Sequence, residues 1–137
     1  MRRLGRDETS GSFAVDFALI LPLVVVIFCG VSALAIAFWK QSILQAAAGE
    51  AARCIALAAS ACASTGGACG SADQGVCYAV TVAASRGLAD LTAAQVTVDR
   101  GATLGTASVT SVAIAYPFSM FWVSVRLTAS AAYPNAS

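Results

Sequence analysis

The sequence predicts an α+β fold in which a long N-terminal transmembrane helix continues into an exported helix, followed by a second helix and a small three-stranded antiparallel sheet. An apolar run begins near Ser12, helical periodicity continues well beyond it, and the second half of the chain changes to β-type alternation. With 58% hydrophobic and 11% charged residues among 137, the chain is too apolar for an average soluble domain. A large part of its surface therefore lies in lipid or against other subunits.

The first element is the membrane span. From Phe17 to Phe38 there are 22 residues without a charge. At ~1.5 Å per residue this length is enough to cross a bilayer core of ~30 Å. Pro22 removes one backbone hydrogen bond and should kink or loosen the helix, which membrane helices tolerate. Asp16 lies at the start of the span, where a carboxylate in hydrocarbon requires a compensating partner.

The charges beside the span predict its orientation. Arg2, Arg3 and Arg6 precede it, whereas Lys40 is the basic residue close behind it. Because positive charge is retained on the cytoplasmic side, the N-terminus should be cytoplasmic and the remainder exported. The predicted divisions are a cytoplasmic leader (residues 1–11), a transmembrane helix (12–39) and an exported periplasmic α+β domain (40–137).

Two helices are predicted around the exported side of the span. The apolar period continues from Gln41 to Ala59, so we expect one helix from about Ser12 to Ala59, with Glu50 and Arg53 pairing on its surface. A second helix is predicted over Val76–Leu88. The apolar positions expected to pack are Ile43, Leu44, Ala47, Ala51, Ile55 and Ala58 in the first helix, and Val80, Ala83, Ala84 and Leu88 in the second.

Three antiparallel strands are predicted after the helices. Gln95–Asp99, Ala107–Phe118 and Val123–Ala132 alternate or are rich in β-branched residues. Gly101 and Gly105 should form the first turn. Pro117 should end or bend the middle strand, because it cannot donate a hydrogen bond to a neighbouring strand, and residues 119–122 should form the second turn. Between the two helices, residues 60–75 should form a loop.

The exported part contains four cysteines with the spacing C-x7-C-x6-C-x7-C: Cys54, Cys62, Cys69 and Cys77. In an oxidising compartment they suggest two disulfides, and three connectivities remain possible. A nested arrangement, Cys54 with Cys77 and Cys62 with Cys69, would staple the loop onto its flanks. The plainer interpretation is that some are buried thiols, as expected for Cys29 within the span. The spacing lacks the short pairs of zinc sites, and we expect no metal.

Several function classes are disfavoured by composition. The chain has no histidine, no G-x-S-x-G elbow and no glycine-rich phosphate loop, so we expect no enzyme and no cofactor. A formal net charge of +1 with scattered basic residues gives no field for nucleic acid. The remaining hypotheses concern anchoring and assembly.

The junction between leader and helix carries a specific pattern. Residues 11–16 read Gly-Ser-Phe-Ala-Val-Asp and resemble the class III processing signal of type IV pilin-like proteins. Together with Ala48–Arg53, they are similar to the TadE-like family of tight adherence (Flp-type) pilus systems. Ala115–Phe118 and Leu127–Ala131 also resemble the closing strands of that family.

The resemblance implies a minor pseudopilin-like component of pilus assembly in the inner membrane. A prepilin peptidase would cut after Gly11, which makes Ser12 the first residue and Asp16 the fifth. In members of the family the fifth residue after the cut is usually glutamate, which is proposed to pair with the freed amine of a neighbouring subunit. Asp16 keeps the negative charge, but its side chain is shorter by one methylene group. The implied partners are other pilin or pseudopilin subunits, the inner-membrane assembly machinery, the prepilin peptidase and the lipid bilayer.

Two rival interpretations follow from the same residues. The chain could be an unprocessed single-pass envelope anchor whose outer domain binds a partner, with Gly11 as a flexible joint and Asp16 at headgroup depth. It could also be a secreted domain behind a signal peptide, although the apolar run is longer than the usual h-region of ~7–15 residues.

Overall fold

The computed structural model describes residues 9–57, 62, 69, 73–120 and 123–135. It contains helix α1 (Thr9–Ala56), helix α2 (Gln74–Ser85), a 3-10 turn (Ala93–Gln95) and three strands. The strands are β1 (Val96–Leu104), β2 (Ala107–Met120) and β3 (Val123–Pro134). The predicted α+β class, with a long apolar helix, a second helix and a three-stranded antiparallel sheet, is confirmed.

Helix α1 belongs to two compact units that divide between Ile36 and Ala37. Its 48 residues include Pro22 and continue past it as helix. In the first unit the large apolar side chains from Val15 onward are exposed. In the second unit one face of α1 is buried, formed by Ile43, Leu44, Ala47, Ala48, Ala51 and Ala52. The predicted face is confirmed there, while Ile55 is half-buried and Ala58 lies outside the described residues.

Helix α2 begins and ends with local signals. The Asp73 side chain accepts a hydrogen bond from the Gly75 amide at 2.8 Å and caps the N-terminus. At the other end Gly87 has a φ of 95°, and the amides of Gly87 and Leu88 donate to Ala84 and Ala83. This αL termination stops the helix three residues before the predicted Leu88. Ala84, expected to pack, is exposed at this end.

The sheet has the order β1-β2-β3, and both neighbouring pairs are antiparallel. Its inner face presents Val96, Val112, Ile114, Tyr116 and Ala129 to the core shared with α1 and α2. The helices contribute mainly alanine to this core. Because small side chains shorten the distance at which packed elements approach, a compact core is obtained from few large residues.

Two predicted breaks in the sheet are wrong. Gly101 does not lie in the turn: β1 runs on to Leu104, with a shift of register between Asp99 and Ala102 that the glycine accommodates. The turn itself is Gly105 and Thr106, and Gly105 has a φ of 65°.

Pro117 does not end the middle strand, which continues to Met120. Strand β1 pairs with β2 only as far as Ile114, so the side of β2 that faces β1 has no partner strand at Pro117. Because of this, the proline, which has no amide hydrogen, loses no hydrogen bond to β1. Ser119 and Met120 pair with β3, so of the predicted second turn only residues 121–122 remain, and these lie outside the described residues.

The disulfides connect neighbouring cysteines. Cys54 bonds to Cys62 and Cys69 to Cys77, with Cα separations of 6.0 and 5.2 Å. The nested arrangement is therefore not the one adopted. Cys77 lies near the start of α2 and Cys54 near the end of α1, so each bridge fastens a helix end to the connecting segment rather than to the other helix. Most of the predicted loop lies outside the described residues.

Candidate assembly segment

The predicted cleavage junction lies in the first turn of α1. Gly11 and Ser12 are helical in the backbone, as the third and fourth residues of Thr9–Ala56. Residues 1–8 of the leader lie outside the described residues. The peptide bond between Gly11 and Ser12 therefore belongs to a helix.

Asp16 follows Ser12 by four residues, which is about one helical turn or ~6 Å along the axis. Residues four apart lie on the same side of a helix. The Asp16 side chain is exposed, and within the described part of the chain it has no hydrogen-bond or ion-pair partner. A carboxylate at this position is thus available to a group from outside the described chain.

The helix after Asp16 presents an apolar surface without a charged residue as far as Phe38. It is long and apolar enough to cross a membrane, so the chain is consistent with a single-pass membrane protein. Two tracks of small residues lie along α1, one formed by Ala14 and Ala18 and the other by Cys29, Ala33 and Ala37. Cys29 is a free, exposed thiol. The strongly exposed large side chains include Phe17, Leu19, Val26, Phe28, Val31, Leu34 and Phe38.

Lys40 is held by the sheet where the apolar surface ends. Its Nζ atom donates a hydrogen bond to the Tyr116 hydroxyl at 3.1 Å and lies 5.1 and 5.4 Å from the ring centroids of Tyr116 and Phe118. Beside it, the Gln41 side chain donates to the Thr128 carbonyl at 2.7 Å. These contacts attach the start of the second unit to the paired ends of β2 and β3.

The Lys40 contacts were not predicted from sequence. Alternation along β2 could have indicated that Tyr116 and Phe118 share a face, since they are two residues apart. It could not indicate which residue of α1 they meet, because that depends on how the sheet is placed along the helix.

A second polar contact joins α2 to the sheet. Arg100 donates two hydrogen bonds of 2.8 Å to the Asp73 carboxylate. This bidentate bond, opposed by desolvation and helped by the Gly75 amide, lowers the pKa of Asp73 below its usual range and raises the pKa of Arg100. The pair thus adds an ionic link to the cap of α2.

The described residues contain no group of three or more His, Cys, Asp or Glu side chains placed to hold a metal ion. Four of the five cysteines are in disulfides, which removes them as thiolate ligands.

The comparisons with known proteins concern the same N-terminal segment. Residues 11–53 match the model of the family described as TadE-like protein. No curated protein and no solved structure matches the chain significantly. The match includes Gly11, Ser12, Asp16 and Ala48–Arg53, whereas the resemblance of Ala115–Phe118 and Leu127–Ala131 lies outside it and stays a prediction. The match covers about a third of the chain, and over residues 11–53 it confirms the predicted resemblance to the TadE-like family.

Proposed function

We propose that the chain is a minor pseudopilin-like component of a tight adherence (Flp-type) pilus assembly system. The observation that carries this proposal is the TadE-like match over residues 11–53, which points to pilus assembly. The match contains both the Gly11–Ser12 junction and the apolar helix that follows it. The proposed role is one of assembly rather than catalysis, and it involves no cofactor.

In this proposal the chain is inserted in the inner membrane through α1. The exposed apolar surface supports insertion, since water would make such a surface costly. The three arginines before the span support a cytoplasmic N-terminus and an exported second unit. The two disulfides agree with an oxidising compartment for that unit.

A prepilin peptidase would cut the chain after Gly11 on the cytoplasmic side. Cleavage creates an α-amino cation on Ser12 at the start of a helix that also carries Asp16 one turn later. Two such subunits side by side could pair the amine of one with the Asp16 carboxylate of the other, and this pairing would offset the cost of a charge near hydrocarbon. The exposure of Asp16 supports this step, because its carboxylate is open to a neighbour.

N-terminal sequencing of the mature protein tests the cleavage. The matched variants are Gly11→Val, which should block cutting, and Gly30→Val, a second glycine of α1 with nothing within 4 Å of an added Cβ, which should not. A mature start at Ser12 that is lost only in Gly11→Val supports the proposal. Retention of Met1 beside an active peptidase would contradict it and favour the unprocessed anchor.

The pairing step has its own test. Asp16→Asn removes the charge at nearly constant shape, whereas Asp16→Glu restores the residue usual in the family. We expect Asp16→Asn to be cut normally yet to assemble poorly, and Asp16→Glu to assemble well. Pili counted on cells, with a blot for the cleaved form, measure both steps. Normal piliation in Asp16→Asn would exclude a pairing role.

A further inference from the structure

The β2–β3 hairpin extends beyond Lys40 at the end of the second unit where the chain enters from the apolar helix. Lys40 lies beside Tyr116 and Phe118, and Gln41 binds the Thr128 carbonyl. Toward the other end of the unit, Ile55 is close to Gly75 and Asp73 bonds to Arg100 in β1. Strand β2 therefore runs antiparallel to this part of α1, and its last residues lie on the side of Lys40 that leads back to Ala37.

The register shows how far the hairpin extends. Phe118 pairs with Val125, and Met120 pairs with Val123. Met120 is two residues past Phe118, which at ~3.3 Å per residue places it ~7 Å farther along the strand than Phe118, one of the two rings beside the Lys40 ammonium. The headgroup region of one leaflet is about 5–7 Å thick. If Lys40 lies at the outer edge of the headgroups, this distance is enough to bring the hairpin to the boundary of the hydrocarbon.

The described side chains at this end have the composition of a membrane interface. Phe38 and Trp39 on the helix are 72% and 53% exposed, and Val125 on the hairpin is 50% exposed although it continues the inner, apolar face of β3. Phe118 and Met120 are only half-buried. Aromatic rings and cations are favoured at headgroup depth, and Lys40 and the exposed Arg126 supply the cations.

We propose that this hairpin end, defined by Phe118, Met120, Val125 and Arg126, is a second membrane contact that lies in the headgroup region beside the exit of α1. The bilayer is favoured as its occupant because the hairpin lies against Lys40, which directly follows the exposed Phe38 and Trp39 at the end of the apolar segment of α1. The contact would fix the exported unit against the membrane surface instead of leaving it on a free stalk. The inference depends on α1 spanning the membrane, which is part of the proposed function.

Spin labels on the full chain in vesicles of phosphatidylethanolamine and phosphatidylglycerol test the proposal. All variants carry Cys29→Ala, so the free thiol is absent and the disulfides stay intact. Val125→Cys labels the hairpin end. The matched control is Leu104→Cys, an apolar residue that is 71% exposed at the β1–β2 turn, at the opposite end of β2. We expect the ratio of oxygen to nickel-chelate accessibility to be severalfold higher at position 125 than at position 104.

A third label separates this inference from the proposed function. Val24→Cys reports on α1 itself and should favour oxygen strongly if the helix spans the bilayer. Equal ratios at positions 125 and 104, with a lipid-exposed label at 24, would overturn the hairpin contact and leave the span intact. A label at 125 shielded from both reagents would show that protein covers the hairpin, which also overturns the proposal. A water-exposed label at 24 would overturn both.

Discussion

The two parts of helix α1 use the same types of residue in opposite environments. Leu34 in the first unit is 61% exposed, whereas Leu44 in the second is fully buried. Alanines follow the same division, since Ala47 and Ala51 are buried against the rest of the second unit while Ala14 and Ala18 are exposed. In one part of the helix the apolar surface is available to lipid or other subunits, and in the other it is used for folding.

This difference separates an exposed apolar surface from a folded core along one continuous helix. A substitution before Ile36 changes an exposed apolar surface, with little effect on contacts within the described chain. A substitution on the buried face after Ala37 changes the core of the second unit. Unfolding measurements and assembly measurements should therefore respond to different parts of the same helix.

The largest expected effect is on the core. Leu44→Ala leaves a cavity between α1 and the rest of the unit and should lower the free energy of unfolding by about 2–5 kcal/mol. Leu34→Ala removes the same atoms from an exposed position and should change that free energy by less than ~0.5 kcal/mol. Denaturation of the full chain in detergent, followed by near-UV circular dichroism, measures both. Equal losses would show that the two parts of α1 do not differ as described.

The disulfides are expected to contribute almost as much. Removing the Cys69–Cys77 bridge as the Cys69→Ala, Cys77→Ala pair releases a short loop and should cost ~2.5 kcal/mol by the chain-entropy estimate. Cys29→Ala in the first unit is the control and should leave the unfolding free energy unchanged. If the double variant is as stable as the control, the bridge constrains little in the unfolded chain.

The helices and the sheet could be predicted because their signals are local. Apolar periodicity extends without a break along the apolar segment and into the second unit, and alternation marks the strands. The disulfide pairing could not be predicted, because four cysteines allow three pairings and the choice depends on where the helix ends lie in space. The effect of Pro117 also depends on the position of neighbouring strands. The sequence predicts that this proline ends or bends the strand, but at Pro117 strand β2 pairs only with β3, and the strand continues.

The predicted assembly residues follow from a sequence pattern and not from spatial geometry. Gly11, Ser12 and Asp16 were identified through a family resemblance, and the structure adds that they lie on consecutive turns of one helix, with Asp16 exposed. The contact of Lys40 with Tyr116 joins residues 76 positions apart in the chain. A contact between residues so far apart in the chain depends on where the sheet lies along α1. Local sequence patterns carry no information on that placement.

Acidic residues extend the comparison between the two units. Asp73 is held by Arg100, which lowers its pKa, so the ionised form stabilises the fold. Its contribution is present above the ordinary aspartate pKa of about 4 and is lost as the pH falls through the lower, folded value. Asp73→Asn keeps the helix cap without the charge and should cost up to ~1 kcal/mol at pH 7.

The pH dependence separates the charge from the cap. The difference between the wild type and Asp73→Asn should shrink as the pH falls below 4, whereas Asp73→Ala should stay less stable because it also loses the cap. Asp16→Asn, in the first unit, is the control and should leave the unfolding free energy of the second unit unchanged. Unfolding midpoints across this pH range measure all three variants, and a constant deficit in Asp73→Asn would exclude the ion pair as its cause.

The smallest expected effect concerns a surface ion pair. The sequence favoured Glu50 with Arg53, one turn apart on α1, but the described ion pair of Glu50 is with Arg86, which follows α2. Both side chains are more than 40% exposed, so a double-mutant cycle of Glu50→Gln and Arg86→Gln should give a coupling of about 0.5 kcal/mol or less, falling with added salt. The control is a double-mutant cycle of Glu50→Gln with Arg53→Gln, which should give a smaller coupling free energy. A larger coupling to Arg53 would mean that the local helical pair prevails in solution over the contact that links the two helices.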